Sequence, residues 1–429
     1  MSQTATDPQG PVAGAPPASR RWWALGLLCL AQFMVVLDVT VVNVALPEIT
    51  RDLALDRSSA TWVFTAYTLC FGGLLLLGGR LADAIGRRRA FLAGLALFTL
   101  ASLDSGLAGS GSALIAARAA QGAGAALLSP AALSIVTTTF HGPDRHRALG
   151  VWAAIGGAGA AVGVLLGGVL TSGPGWEWVF FVNIPVGVGV AAAVPAVVGR
   201  PAVGDRPRRL DLPGALAATL AVGLVIYGLV EAGDAGWQAS STLGALAAGA
   251  AMVAAFVLVE RRAPAPLVPG DLAARRTVVT GNLVMLVASG LLLAGFFLSS
   301  QYLQHVLRLS PMRTGLTFLP VALAIALGTH VGARVVGRHG ARPAAAAGFA
   351  LAAAGLLLLA QVPVDGQAAL DVLPGFVVAG SGLGAAFVAA TTTALGHVEP
   401  HRAGVASGMI STGHELGASL GVALVSAVA

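Results

Sequence analysis

The chain is organised as long apolar stretches, many of 18 residues or more, separated by short segments that carry arginine. A run of that kind crosses the roughly 30 Å hydrocarbon core of a bilayer as one α-helix, because only a helix satisfies its own backbone groups there. Composition points the same way: of 429 residues, 56% are hydrophobic and 10% charged, whereas a soluble domain carries about 25% charged residues. Too few charges remain to coat a water-facing surface, which excludes a large soluble enzyme. A disordered chain is excluded too, since it needs low hydrophobicity and high charge. The expected fold class is an all-α polytopic membrane protein.

Apolar windows place thirteen spans near 22–47, 60–80, 89–107, 112–138, 148–171, 179–198, 213–231, 242–260, 278–300, 314–333, 343–361, 370–395 and 403–429. Residues 1–21, rich in Pro, Gly and Ala, read as a disordered cytoplasmic tail rather than a signal peptide. Orientation follows from the arginines. With the N-terminus inside, the inner loops carry 20 arginines and the outer loops four, with Arg118 alone inside a span. That asymmetry satisfies the positive-inside rule.

All 25 basic residues are arginine. A chain without lysine cannot build the G-x-x-x-x-G-K-[ST] phosphate loop, so ATP hydrolysis by that route is excluded. The Ala/Gly/Arg-heavy composition fits a GC-rich bacterial genome. The net charge of +6 reflects membrane topology, not nucleic-acid binding. Cys29 and Cys70 lie in apolar runs and read as small hydrophobes, not as a disulfide or metal pair. No metal and no cofactor is expected.

Transporters often carry internal repeats. At an offset of 254, Gly150, Gly159, Gly163 and Gly167 recur as Gly404, Gly413, Gly417 and Gly421, and Arg80, Gly86 and Arg88 recur as Arg334, Gly340 and Arg342. The expected organisation is a six-helix half over 22–198, a linker with two inserted helices over 199–277, and a second half over 278–429. The counterpart of the sixth span would start near residue 433, beyond Ala429. The last helix is therefore expected to be missing, by truncation or because the second half works with five helices.

Several polar residues stand out. Asp38 lies deep in the first span, where an ionised carboxylate costs a few kcal/mol; it is expected to face a cavity and carry a proton, or else to serve only packing. Asn43, five residues on, need not share its face. Arg118 is either a snorkelling cation or a buried one that pairs with a carboxylate or substrate and relays coupling. Gly79, Arg80, Asp83, Gly86, Arg87 and Arg88 form a basic turn in which the lone Asp83 is not explained by topology. The stripe Gly159, Gly163, Gly167 and Gly168 permits close helix approach. His414 and Glu415 form a polar pair in the last span, with Glu415 a second titratable site or a packing contact. Asp104 and Glu177 belong at the outer interface.

On these residues the chain resembles the major facilitator superfamily, and within it the fourteen-span drug:proton antiporters of the QacA/EmrB-like branch. The similarity runs from about Trp22 to Ala429 and rests on Leu37-Asp38…Asn43…Ala45-Leu46-Pro47, the Gly79–Arg88 turn, Arg118–Gly124, Trp176…Asn183-Ile184-Pro185 and Ser310-Pro311…Leu319-Pro320. Two departures are visible: Gly163-Val164 replaces the branch's Gly-Pro, and Glu177 stands where arginine is common. The resemblance implies the major facilitator fold and alternating access, with Asp38, Arg118 and Glu415 in proton coupling and Gly79, Asp83, Gly86, Arg87 and Arg88 as a gating loop. It also implies proton-coupled efflux of lipophilic or cationic antibiotics across a bacterial inner membrane, with no enzymatic activity. The partners are then a small-molecule substrate, protons and lipid. A metabolite exporter, an uptake symporter of the same fold and a non-transporting truncated product are the alternatives.

Overall fold

The structure is a computed structural model that describes residues 18–140, 165–199, 211–264, 266–268, 270–363, 366–396, 398 and 403–428, with isolated positions between 144 and 163. Every regular element among the described residues is helical. The first group comprises α1 (Ala18–Asp52), α2 (Arg57–Ile85), α3 (Arg87–Gly106), α4 (Gly111–Thr139), α5 (165–172), α6 (Trp178–Phe181) and α7 (Asn183–Val197). Then come α8 (Leu212–Ala235), α9 (Ser240–Arg262) and the short α10 (Gly270–Ala273). The last group is α11 (Arg276–Gln301), α12 (Pro311–His339), α13 (Ala341–Leu359), α14 (Leu373–Leu395) and α15 (Ala403–Val428). Among the described residues nine helices are long and apolar enough to cross a bilayer, and α2, α3 and α15 pack among them. The chain is a multi-pass membrane protein.

Local chemistry sets the ends of these helices. Asp56, Ser110 and Ser310 cap α2, α4 and α12 by accepting from Ser59 N, Ala113 N and Arg313 N, satisfying amides that the first helical turn leaves unpaired. Hydrogen bonds from Ser59 hold the Asp56 carboxyl below its usual range. At the basic turns, Gly86 and Gly340 have φ of 95° and 90°, a region essentially reserved for glycine. The two positions are related by the 254-residue offset, so the repeat reproduces a backbone turn and not only a letter.

The glycine stripes repeat as contacts. A Cβ on Gly163 would lie 1.9 Å from Thr40 Oγ1, and one on Gly167 would lie 3.1 Å from Val41 Cα, so the fifth span presses on α1. In the second bundle, Cβ atoms on Gly417 and Gly421 would meet the carbonyls of Leu286 and Gly290 at 2.2 and 2.3 Å; there α15 presses on α11. Gly168 is also buried.

The two bundles meet at the end of the molecule opposite the basic turns. Ser300 Oγ donates to the Asn43 carbonyl at 3.2 Å and Gln304 Nε2 to the Val44 carbonyl at 3.1 Å, joining α1 to the end of α11. Between α2 and α15, the hydroxyls of Thr61 and Ser426 lie 2.7 Å apart and Ser419 donates to Thr68 at 2.5 Å. One apolar cluster spans both bundles there, from Leu46 and Phe64 to the edge-to-face ring set Phe296, Phe318 and Phe376. Toward the basic turns, by contrast, the described apolar clusters stay within one bundle. This conformation is sealed at one end. The α8–α9 pair lies beside that seam: Thr219 Oγ1 donates to the Gly73 carbonyl of α2 at 3.0 Å, and Gly233 packs on Ala427 of α15.

Candidate functional site

Asp38 and Arg118 come together at the centre of the first bundle. Both are completely buried, and Arg118 Nη1 donates to Asp38 Oδ2 at 2.5 Å. Arg118 stands only two turns into α4, but its side chain points inward, so the snorkelling alternative does not describe it. Its Nη1 also donates to Gln121 Oε1 at 2.6 Å and its Nε to the Val63 carbonyl at 3.2 Å. The guanidinium stacks 4.2 Å from the Tyr67 ring centre, an arrangement that offsets part of a buried cation's desolvation.

The second oxygen of Asp38 takes two amide donors: Gln121 Nε2 at 2.7 Å and Asn183 Nδ2 at 3.1 Å. Ser102 of α3 accepts from the same two amides, at 2.8 and 3.4 Å. Four helices thus converge on one carboxyl: α1 supplies Asp38, α3 Ser102, α4 Arg118 and Gln121, and α7 Asn183. Every group around Asp38 donates, a set complementary to a carboxylate rather than to a neutral acid. Arg118 Nη2 is buried without a hydrogen-bond partner.

One expectation needs correction. Asp38 does not face an open cavity here, because protein donors occupy the positions that water would take. Glu415, expected as a second titratable site or a packing contact, sits at the seam between bundles, where its Cβ comes within 2.9 Å of the position a Cβ on Gly72 of α2 would take, and its carboxylate meets His414 Nδ1 at 3.1 Å. Asn43 stays apart from Asp38, its amide donating to the Val39 carbonyl. Asp104 is exposed at the end of α3 and Glu177 half-buried just before α6.

In the basic turn, Gly86 takes the bend, Arg88 is half-buried, and Arg80 donates to the Pro266 carbonyl beyond α9. Arg87 has an interaction partner; the Asp83 side chain lies outside the described residues. Ser102 and Tyr67 carry no signal in the sequence, being ordinary residues in apolar helices. Gln121 and Asn183 stand inside quoted motifs, and only their depth in a span distinguishes them.

A multi-pass helical bundle with an ion pair sealed in its core and two helical groups meeting at one end is built like a membrane transporter. The profile of the Major Facilitator Superfamily matches residues 28–422, and the chain belongs to that family. It is 42% identical to the puromycin resistance protein pur8 of Streptomyces alboniger over 417 residues, covering 96% of this chain and 82% of that one. It is also 42% identical to the cephamycin export protein CmcT of Amycolatopsis lactamdurans, covering 94% and 83% of the two chains. Among solved structures, a POT peptide transporter in complex with sulfate shares the fold with a TM-score of 0.67 at 20% identity, covering 94% of this chain and 88% of that one.

Proposed function

We propose that this protein exports lipophilic or cationic, antibiotic-like compounds from a bacterial cell in exchange for protons. In this reading it lies in the inner membrane with its N-terminus in the cytoplasm. Residues 22–198 and 278–429 act as two rocking lobes, and 199–277 form a linker carrying an inserted helix pair, as in the fourteen-span branch. The export activity is suggested by relatives named for antibiotic resistance and export. The proton coupling rests on one observation, the sealed Asp38–Arg118 pair.

The chemistry follows from that pair. With the basic turns facing the cytoplasm, the sealed end faces outward and the present conformation is inward-facing, with Asp38 held as a carboxylate by Arg118, Gln121 and Asn183. A proton from outside reaches Asp38 only when the outer seal opens. Neutralising Asp38 removes the charge that holds Arg118 and leaves an acid proton facing donors, so the four-helix junction must repack. Substrate and proton then bias one two-state equilibrium in opposite directions, which is the condition for exchange. Glu415, at the seam beside Gly72, supplies a second acid on the path of the rocking motion.

Everted membrane vesicles test the reading. With an inside-acidic gradient they accumulate a lipophilic antibiotic such as puromycin, and collapsing the gradient stops uptake. Accumulation that ignores the gradient, or that needs the opposite one, overturns proton-driven export.

A further inference from the structure

Away from that junction, two acids meet where the inserted helix pair reaches the basic end of the molecule. Asp211 precedes α8 and is 8% exposed; its Oδ1 accepts from Gly214 N at 2.9 Å while its Oδ2 is buried without a partner. A Cβ on Gly214 would lie 2.5 Å from that Oδ2 and 2.8 Å from Glu260 Oε1 in the last turn of α9. The two carboxyl oxygens therefore flank one small space, left open because residue 214 has no side chain.

Each oxygen of Glu260 already accepts one strap amide, Leu267 N donating to Oε1 and Val268 N to Oε2, each at 3.0 Å, which leaves Oε1 a second lone pair. Two carboxylates that face one such space repel unless a proton or cation lies between them. No described cation hydrogen-bonds to Asp211 Oδ2. Arg80 of α2 donates to the Pro266 carbonyl, Arg261 and Arg262 of α9 and Arg276 of α11 are exposed, and Asp271 and Arg275 have contacts of their own. Arg208 and Arg209 lie outside the described residues.

We propose that Asp211 and Glu260 form a proton-binding site that fastens the 266–268 strap and so ties the inserted helix pair to Arg80 at the basic turn. One proton is shared between Asp211 Oδ2 and Glu260 Oε1, the two oxygens that face the space beside Gly214. Glu260, drawn toward Asp211, keeps its two amide contacts to the strap, and the strap presents the Pro266 carbonyl to Arg80. When the proton leaves, the acids repel, Glu260 releases Leu267 and Val268, and Arg80 loses its perch. This site is separate from Asp38 and stands or falls without it.

The test uses the full chain in lipid nanodiscs. Infrared spectra at neutral pH show a protonated-carboxyl band that shifts in deuterium oxide and is lost both in Asp211→Asn and in Glu260→Gln. Hydrogen exchange of the 264–270 peptide, corrected for intrinsic rates, accelerates at least tenfold as pH rises from about 5 to about 9. In Glu260→Gln it no longer follows pH. A sodium titration at high pH is the control: renewed protection would make the occupant a cation and overturn the proton assignment. A wild-type band absent at neutral pH, a band unchanged in both variants, or strap exchange indifferent to pH would each overturn the proposal.

Discussion

Replacing Asp38 by Asn probes the buried junction because it changes one charge and almost no volume. Removing one member of a buried ion pair costs about 3–5 kcal/mol, since the partner charge is left uncompensated. Here Arg118 keeps Gln121 at 2.6 Å, the Val63 carbonyl at 3.2 Å and the Tyr67 ring, and a desolvated cation–π contact is worth about 2 kcal/mol. The new amide meets a conflict of its own. If its oxygen faces Arg118, its NH2 group points at Gln121 Nε2 and Asn183 Nδ2, and an unsatisfied buried donor costs about 1–3 kcal/mol. The net expectation is a loss of about 2–4 kcal/mol, measurable by unfolding in mixed micelles. Pairing the change with Arg118→Gln removes both charges, so the double variant should recover part of that loss, with a coupling energy of about 1–3 kcal/mol. Neither variant should transport in everted vesicles. Asp38→Asn within about 0.5 kcal/mol of wild type, together with strict additivity in the double variant, would refute the pairing.

Other consequences are smaller in scope. Gly421→Ala should destabilise more than Gly163→Ala, because its Cβ meets the Gly290 backbone carbonyl whereas the latter meets the Thr40 hydroxyl; thermal unfolding should show a cost of about 1–3 kcal/mol for the first. Gly86→Ala and Gly340→Ala should each cost about 1–3 kcal/mol from backbone strain at positive φ, read the same way. Thr61→Cys with Ser426→Cys, whose parent hydroxyls are 2.7 Å apart, should cross-link under oxidant and halt transport until reduced; undiminished transport in the cross-linked protein would contradict opening at this seam. The Asp56 cap has a pH signature. Its carboxyl is depressed by Ser59, so its stabilisation is present above the ordinary carboxylate range and fades as pH falls through the folded value. Asp56→Ala should flatten acid unfolding over that window.

The helical architecture was legible because apolar run length is a direct physical requirement of the bilayer, and the basic turns were legible because Gly86 and Gly340 repeat at a fixed offset. Asp38 and Arg118 stood out one by one, as charges are expensive inside a membrane. Their pairing did not, since they lie 80 residues apart on different helices and helical spacing says nothing about which helix faces which. The same limit hid Ser102 and the double grip of Gln121 and Asn183. The expectation that Asp38 faces a cavity did not foresee that Arg118, Gln121 and Asn183 all donate to it, because none of the three is near it in sequence. Glu415 was visible as an odd polar residue, but its place at the α2–α15 seam depends on how the two bundles dock.

The most direct measurement is proton release on addition of puromycin to purified protein first loaded with protons at acidic pH in weakly buffered detergent, compared between wild type and Asp38→Asn. The account predicts release from wild type and its loss in the variant, with binding still detectable by tryptophan fluorescence. Equal release from both proteins would contradict Asp38 as the proton carrier.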